Sequence, residues 1–274
     1  MFNEKHVNTL MDKVERSIKH TGKYKDASKL CVGVDLGTAF IVLVVLNEQK
    51  EPIACEMKFA QVLKDGVVVD YLGALQIVRE LKEKLEERLK CTLEKAAIAV
   101  PPGTPESTCK THSYVVEGAG MEVVATLDEP TAANAVLNIE NGAVVDIGGG
   151  TTGISILKDG EVVYTADEPT GGTHVSLVLS GSFKISFEEA EALKKDKKRH
   201  REVLATVTPV FQKMGHIVKT HIQNYDVENL YLVGGTCCLG GIEKIIEKET
   251  GVKTHKPANP FLITPTGIAL NCFE

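Results

Sequence analysis

Apolar residues recur at helical spacing from the start of the chain. Val7, Leu10, Met11, Val14 and Ile18 share one stripe, which predicts an amphipathic helix over residues 3–20. The pattern stops near Gly22, and the polar stretch 22–29 reads as a linker. The period then changes to that of strands. Residues 31–36 and 40–47 are apolar, β-branched runs around a Gly-Thr turn, and 52–60 supplies a third strand. A short strand at 67–69 precedes a long helix capped by Asp70, with Leu72, Leu75, Val78, Leu81, Leu85 and Leu89 on its apolar face. Residues 96–100 form a buried strand stopped by Pro101 and Pro102. Two helices follow, near 105–117 and 129–139, the second capped by Asp128.

The second half repeats this grammar. A strand at 143–147, a Gly-Gly-Gly-Thr-Thr turn, a strand at 154–158, an Asp-Gly turn and a strand at 161–166 make another meander. Ser186 and Glu189 form a capping box for a helix that continues past Pro209, with Val210, Phe211, Met214, Ile217, Val218 and His221 on one stripe. A strand at 230–233 leads into Gly234 and Gly235, and a helix at 239–250 ends at Gly251. Thr264 and Pro265 open a last short helix. The two halves are therefore expected to be structural duplicates, with an N-terminal helix at 1–22, a first lobe at 31–140 and a second at 141–274.

Composition narrows the class. The 274 residues are 43% apolar and 25% charged, as in ordinary globular domains, which excludes disordered and collagen-like chains. The longest apolar run, 40–46, is far short of the roughly 20 residues of a membrane span, so no membrane insertion is expected. Charged residues interrupt the N-terminal helix, which does not read as a signal peptide. The net charge of −6 argues against nucleic acid as a partner, and the basic cluster at 194–201 reads as a solvated helix face. Seven scattered cysteines without a CxxC pair read as reduced thiols of a cytoplasmic protein, not as a disulfide or zinc framework.

The duplication brings chemistry with it. VGVDLGTA at 32–39 and VVDIGGGTT at 144–152 each place an aspartate near the end of a buried strand, followed by a Gly/Thr turn and a second strand. Asp35 and Asp146 lie 111 residues apart. Two such turns facing each other would hold phosphate from both sides through backbone N–H groups and hydroxyls, with an aspartate from each near a metal. Gly148, Gly150 and Gly153 also satisfy GxGxxG, but a dinucleotide fingerprint requires a helix directly after the glycines, and 154–158 has strand period. No GxxxxGK[ST] occurs.

These motifs resemble those of the actin, sugar kinase and DnaK-type chaperone ATPase superfamily. VGVDLGTA is similar to its first phosphate motif, EPTAA at 129–133 to the first connecting motif and VVDIGGGTTGISI at 144–156 to the second phosphate motif. LVGGTCCLGGIEKII at 232–246 is similar to the adenosine motif and TPTGIAL at 264–270 to the second connecting motif. The resemblance implies an α/β actin-like ATPase fold of two ribonuclease-H-like lobes with reduced peripheral subdomains. It also implies ATP and Mg as cofactors. Asp35 and Asp146 would hold magnesium through water, and Gly37, Thr38, Gly148, Gly149, Gly150, Thr151 and Thr152 would contact phosphate. Glu129 would orient or deprotonate the attacking water, or serve only as a first-turn glutamate favoured by the helix dipole. Glu191 and Lys194 resemble the pair that holds the adenosine ribose, with a surface ion pair as the competing reading. Gly234 and Gly235 would let the backbone approach adenine, or merely turn from strand to helix. Gly171 and Gly172 match the glycines of the chaperone GGEDFD segment, but Thr173 and His174 replace its acids, and no counterpart of the chaperone catalytic lysine is identifiable. Slow hydrolysis and nucleotide sensing are both consistent with that pattern.

Compact size and an N-terminal helix most resemble the chaperone-like ethanolamine-utilisation members of the superfamily. A protein client, either ethanolamine-utilisation enzymes or microcompartment components, is the implied partner, with a cytoplasmic location that extends to a bacterial microcompartment. A filament-forming or FtsA/PilM-like structural homologue is the alternative, and a small-molecule kinase a third. The N-terminal stripe has two expected destinations: the chain's own first lobe, or a groove on a partner that it would recruit.

Overall fold

The structure is a computed structural model that describes residues 2–26 and 29–273; Ala27 and Ser28 of the expected linker lie outside the described residues. The chain divides into two compact units, Met1–Asn138 with Leu262–Glu274, and Ile139–Phe261.

The first unit opens with α1 (Glu4–Ser17), capped by Asn3, whose side chain accepts from His6 N–H at 3.1 Å. β1 (Cys31–Leu36), β2 (Phe40–Leu46) and β3 (Pro52–Phe59) form the meander. A small hairpin, β4 (Leu63–Lys64) and β5 (Val67–Val68), leads into α2 (Tyr71–Leu89). Asp70 caps that helix and accepts from Gly73 N–H at 2.9 Å. β6 (Lys95–Val100), α3 (Glu106–Gly118), β7 (Glu122–Asp128) and α4 (Glu129–Leu137) follow. The sheet order is β3-β2-β1-β6-β7, with β6 parallel to β1 and β7 parallel to β6. The sequence pattern gave no sign of β7. It is an edge strand that alternates between exposed and half-buried positions, so it lacks the apolar run of its neighbours.

The N-terminal stripe goes to the chain's own unit. Val7, Met11 and Val14 are fully buried, with α1 against β3 and α4. The recruitment reading of this helix is therefore corrected: its apolar face is already covered. Arg88 of α2 fastens it there. Its guanidinium donates to Ser17 O at 2.8 Å and to Ile18 O and Cys55 O at 3.2 Å, and pairs with Glu56 at 2.5 Å. Arg88→Met leaves three carbonyls and a carboxylate without this partner. The expected loss is about 2–3 kcal/mol of stability in the first unit, measured by urea unfolding followed by far-UV circular dichroism.

The second unit repeats the topology. β8 (Gly142–Ile147), β9 (Thr152–Lys158) and β10 (Glu161–Glu168) form the meander, with Asp159 and Gly160 both at positive φ in the tight turn. α5 (Gly172–Phe183), α6 (Phe187–Lys195) and α7 (His200–Ile222) precede β11 (Asn229–Val233), α8 (Ile242–Thr250) and β12 (Lys253–His255). The order β10-β9-β8-β11-β12 matches the first sheet strand for strand. The helix expected from 186 past Pro209 is broken at Asp196, whose carboxylate instead caps a short turn by accepting from Lys198 N–H at 3.0 Å. The expected helix at 239–250 begins only at Ile242, because Gly235–Cys238 forms a tighter turn first.

The chain then returns. α9 (Ile263–Leu270), placed by the sequence pattern in the second lobe, packs on β1 and α4 of the first unit. Glycine makes this approach possible. A Cβ on Gly267 would fall on Ala132 O, and one on Gly33 would lie 2.6 Å from Pro265 O. The return also places Cys272 beside Cys31, Cα to Cα 6.0 Å, and the two form a disulfide across 241 residues. The expectation of reduced thiols throughout is corrected at this pair. The sequence shows no local spacing for it, because the pairing follows from where α9 docks.

Candidate functional site

The turn between β1 and β2 and the turn between β8 and β9 are built alike. Asp35 pairs with Val42 across the first hairpin, and Asp146 with Gly153 across the second. Gly37 N–H donates to Phe40 O at 3.0 Å, and Gly148 N–H donates to Thr151 O at 3.0 Å, so each turn closes with the same hydrogen bond. Asp35 and Thr38 are half-buried in the first unit. Asp146 is buried in the second, 7% exposed. Glu129 stands at the start of α4 in the first unit, directly after the cap Asp128. Asp128 accepts from Thr131 N–H at 2.9 Å and Thr131 O–H at 2.7 Å.

In the second unit most of the expected residues come together around the Gly148 turn. Gly148 O accepts from Gly172 N–H at 2.9 Å and from Thr236 O–H at 2.7 Å. Gly149 O accepts from both the N–H and the O–H of Thr173, at 2.8 and 2.9 Å. Thr152 O–H donates to Thr170 O at 2.7 Å. The start of α5 thus holds the turn from behind, through Gly171 and Gly172. Sequence alone does not assign Thr173 or Thr236 this role, although Thr173 stands where the chaperone segment has an acid and Thr236 lies inside the segment that resembles the adenosine motif.

Gly234 is fixed by geometry. Its φ is +91°, and a Cβ there would meet Asp146 Oδ1 and Ile147 O. Gly235 is exposed and packs beside Phe261. Cys237 follows in the same turn, its thiol pushed well above the usual range by burial and then by the charge of Asp146.

Glu191 and Lys194 form a buried pair rather than a surface one. Their side chains are 10% and 15% exposed and 2.5 Å apart. Ser176 of α5 bonds the same Glu191 oxygen, and Lys194 also donates to Ser176 Oγ at 2.9 Å and to Gly172 O at 3.2 Å. Burial alone would raise the Glu191 carboxyl, but the charge and hydrogen bond of Lys194, with that of Ser176, outweigh it and hold it below the ordinary value. Burial also pushes the Lys194 ammonium down, against the pull of Glu191. The three N–H groups of Lys194 are all engaged within the protein, so Lys194 positions Glu191 and the start of α5.

Among the described residues no group of three or more His, Cys, Asp or Glu could cage a metal ion. Asp35 and Asp146, each a single aspartate beside a closed Gly turn, are a donor set that fits magnesium, which keeps several waters and takes few protein ligands. Among the described residues no helix is long and apolar enough to cross a membrane.

Two sheets of the same order, each opening on an aspartate and a closed Gly turn, define the actin-like ATPase fold. The family described as "Type IV pilus assembly protein PilM" matches residues 108–266. Ethanolamine utilization protein EutJ of Salmonella typhimurium is 42% identical over 241 residues, 88% of this chain and 85% of that protein. The crystal structure of EutJ from Carboxydothermus hydrogenoformans superposes with a TM-score of 0.93 at 48% identity, covering 98% of this chain and 99% of that one. The chain belongs to the EutJ family of ethanolamine utilization proteins and carries the PilM-like family domain. At the level of fold alone it is also similar to MreB 5 of Spiroplasma citri bound to AMPPNP, with a TM-score of 0.72 at 18% identity over 88% of this chain and 95% of that one.

Proposed function

We propose that this protein binds Mg-ATP through its two duplicated turns and uses nucleotide state to act on a protein client of ethanolamine utilisation, in the manner of a chaperone. The observation that carries the reading is the recurrence, 111 residues apart, of an aspartate two positions before a Gly N–H that closes the turn. The remaining amides of Gly149, Gly150 and Thr38 are the phosphate donors. Asp35 and Asp146 orient the water shell of magnesium, which when bound neutralises charge on the phosphates. Glu191 Oε1 is committed to Ser176 and Lys194, so Oε2, which the exposed Lys195 approaches only to 3.6 Å, is the oxygen offered to a ribose hydroxyl. Gly234 and Gly235 keep side chains away from the adenine. Glu129 orients the attacking water. The EutJ family supports the pathway, and the microcompartment is the proposed place of action.

Calorimetry tests the central claim. Wild-type protein is expected to bind ATP only weakly without magnesium and more tightly with it. Asp35→Asn and Asp146→Asn should each weaken Mg-ATP binding by about tenfold, as when a group that orients a metal's ligands is removed. A flat titration with ATP, ADP and magnesium, or unchanged affinity in both variants, overturns the assignment.

A further inference from the structure

The two sheets correspond residue for residue well beyond the turns. In the first unit Val42 lies between Asp35 and Met57, and in the second Gly153 lies between Asp146 and Asp167. Farther along, Leu46 faces Pro52 just as Leu157 faces Val162. Each outer strand then carries one extra residue at the same place, Ile53 on β3 and Val163 on β10.

The correspondence ends at the surface. Ile53 is 1% exposed, whereas Val162 is 38% and Val163 48% exposed. On β3 the cover comes from the same chain: α1 lies against the strand, and Gly22 N–H donates to Ile53 O at 2.7 Å. Lys13 of α1 pairs at 2.9 Å with Glu51, one residue before Pro52. β10 keeps the equivalent carboxylate, Glu161, one residue before Val162, and among the described residues Glu161 makes no ion pair. The second unit thus has the apolar pair, the bulge and the carboxylate of a covered edge, without the cover.

We propose that the outer edge of β10 at Val162 and Val163 is a docking site for another protein, whose lysine-bearing amphipathic helix and extended tail seat there as α1 and Gly22 seat on β3. The carboxylate favours a basic helix by charge complementarity, as Glu51 pairs with Lys13. A second copy of β10 is a poor occupant. Both ends of the strand are acidic, Glu161 at one and Asp167 and Glu168 at the other, and antiparallel self-pairing sets carboxylates against carboxylates. The surface gives the proposed client a place and rests on that part of the reading above, but it is independent of nucleotide binding.

The probe is a fluorescent peptide of residues 2–26 of this chain, titrated with the full-length protein. Binding is expected to be saturable and to weaken about tenfold or more with either Val163→Lys or Glu161→Lys. A peptide carrying Lys13→Glu should regain affinity for Glu161→Lys. Equal affinity for wild type and variants, or no binding up to about 1 mM, overturns the proposal. So does a wild-type dimer that Val163→Lys makes monomeric, since the occupant is then a second copy. Mg-ATP calorimetry on the same variants separates the two readings: intact nucleotide binding with no peptide effect removes only the docking site.

Discussion

Replacing Glu129 with glutamine is expected to cut ATP turnover by roughly 100-fold, the range of a lost general base, while ATP affinity stays within a few fold of wild type. The capping of α4 is carried by Asp128, through its two bonds to Thr131, so the substitution leaves the helix start intact. A glutamate that served only the helix dipole would contribute about 0.3–1 kcal/mol of stability and nothing to chemistry. Single-turnover hydrolysis distinguishes the two. An unchanged rate with a small stability loss reduces Glu129 to its electrostatic role at the helix end.

The second large effect concerns Gly234. Gly234→Ala is expected to destabilise the second unit by about 3 kcal/mol or more, because an L-residue is strained at this backbone conformation and its Cβ has no room. The atoms it would strike are Asp146 Oδ1 and the backbone of Ile147, so no flexible side chain can move aside cheaply. The chain has no tryptophan, so urea unfolding is followed by far-UV circular dichroism. A midpoint equal to wild type would show that the strand end relaxes freely, and the tight seat of Asp146 would have to be abandoned.

The parts of this fold that were legible in the sequence are those whose signal is local. The duplicated turns announce themselves because glycine, threonine and aspartate interrupt two long β-branched runs at matching offsets, and the Ser186 capping box is written in four residues. β7 and α5 were not legible. β7 is half polar because it sits at an edge, and α5 is a run of Gly, Thr, Ser, Val and Leu with low helix propensity and exposed Leu177 and Val178, held by its contacts to α6 and α7. Which unit receives α9 was not legible either, since that helix is buried on every side and has no polar face to orient it. In the candidate site, the sequence pattern names the glycines and aspartates of the two turns that the structure builds alike. The hydroxyls of Ser176, Thr173 and Thr236 could not be assigned, because their roles depend on which turn a separate helix touches.

The return of α9 also sets an order of events during synthesis. The second unit, Ile139–Phe261, is contiguous and can close as soon as its own residues have left the ribosome, whereas the first, although begun earlier, stays without one wall until 262–274 emerges. Until then the alanines that α9 covers, Ala97, Ala99 and Ala132, face water. The nascent first unit is thus the stage most exposed to misassembly, and the Cys31–Cys272 bond can form only after the unit encoded between its two cysteines has been made.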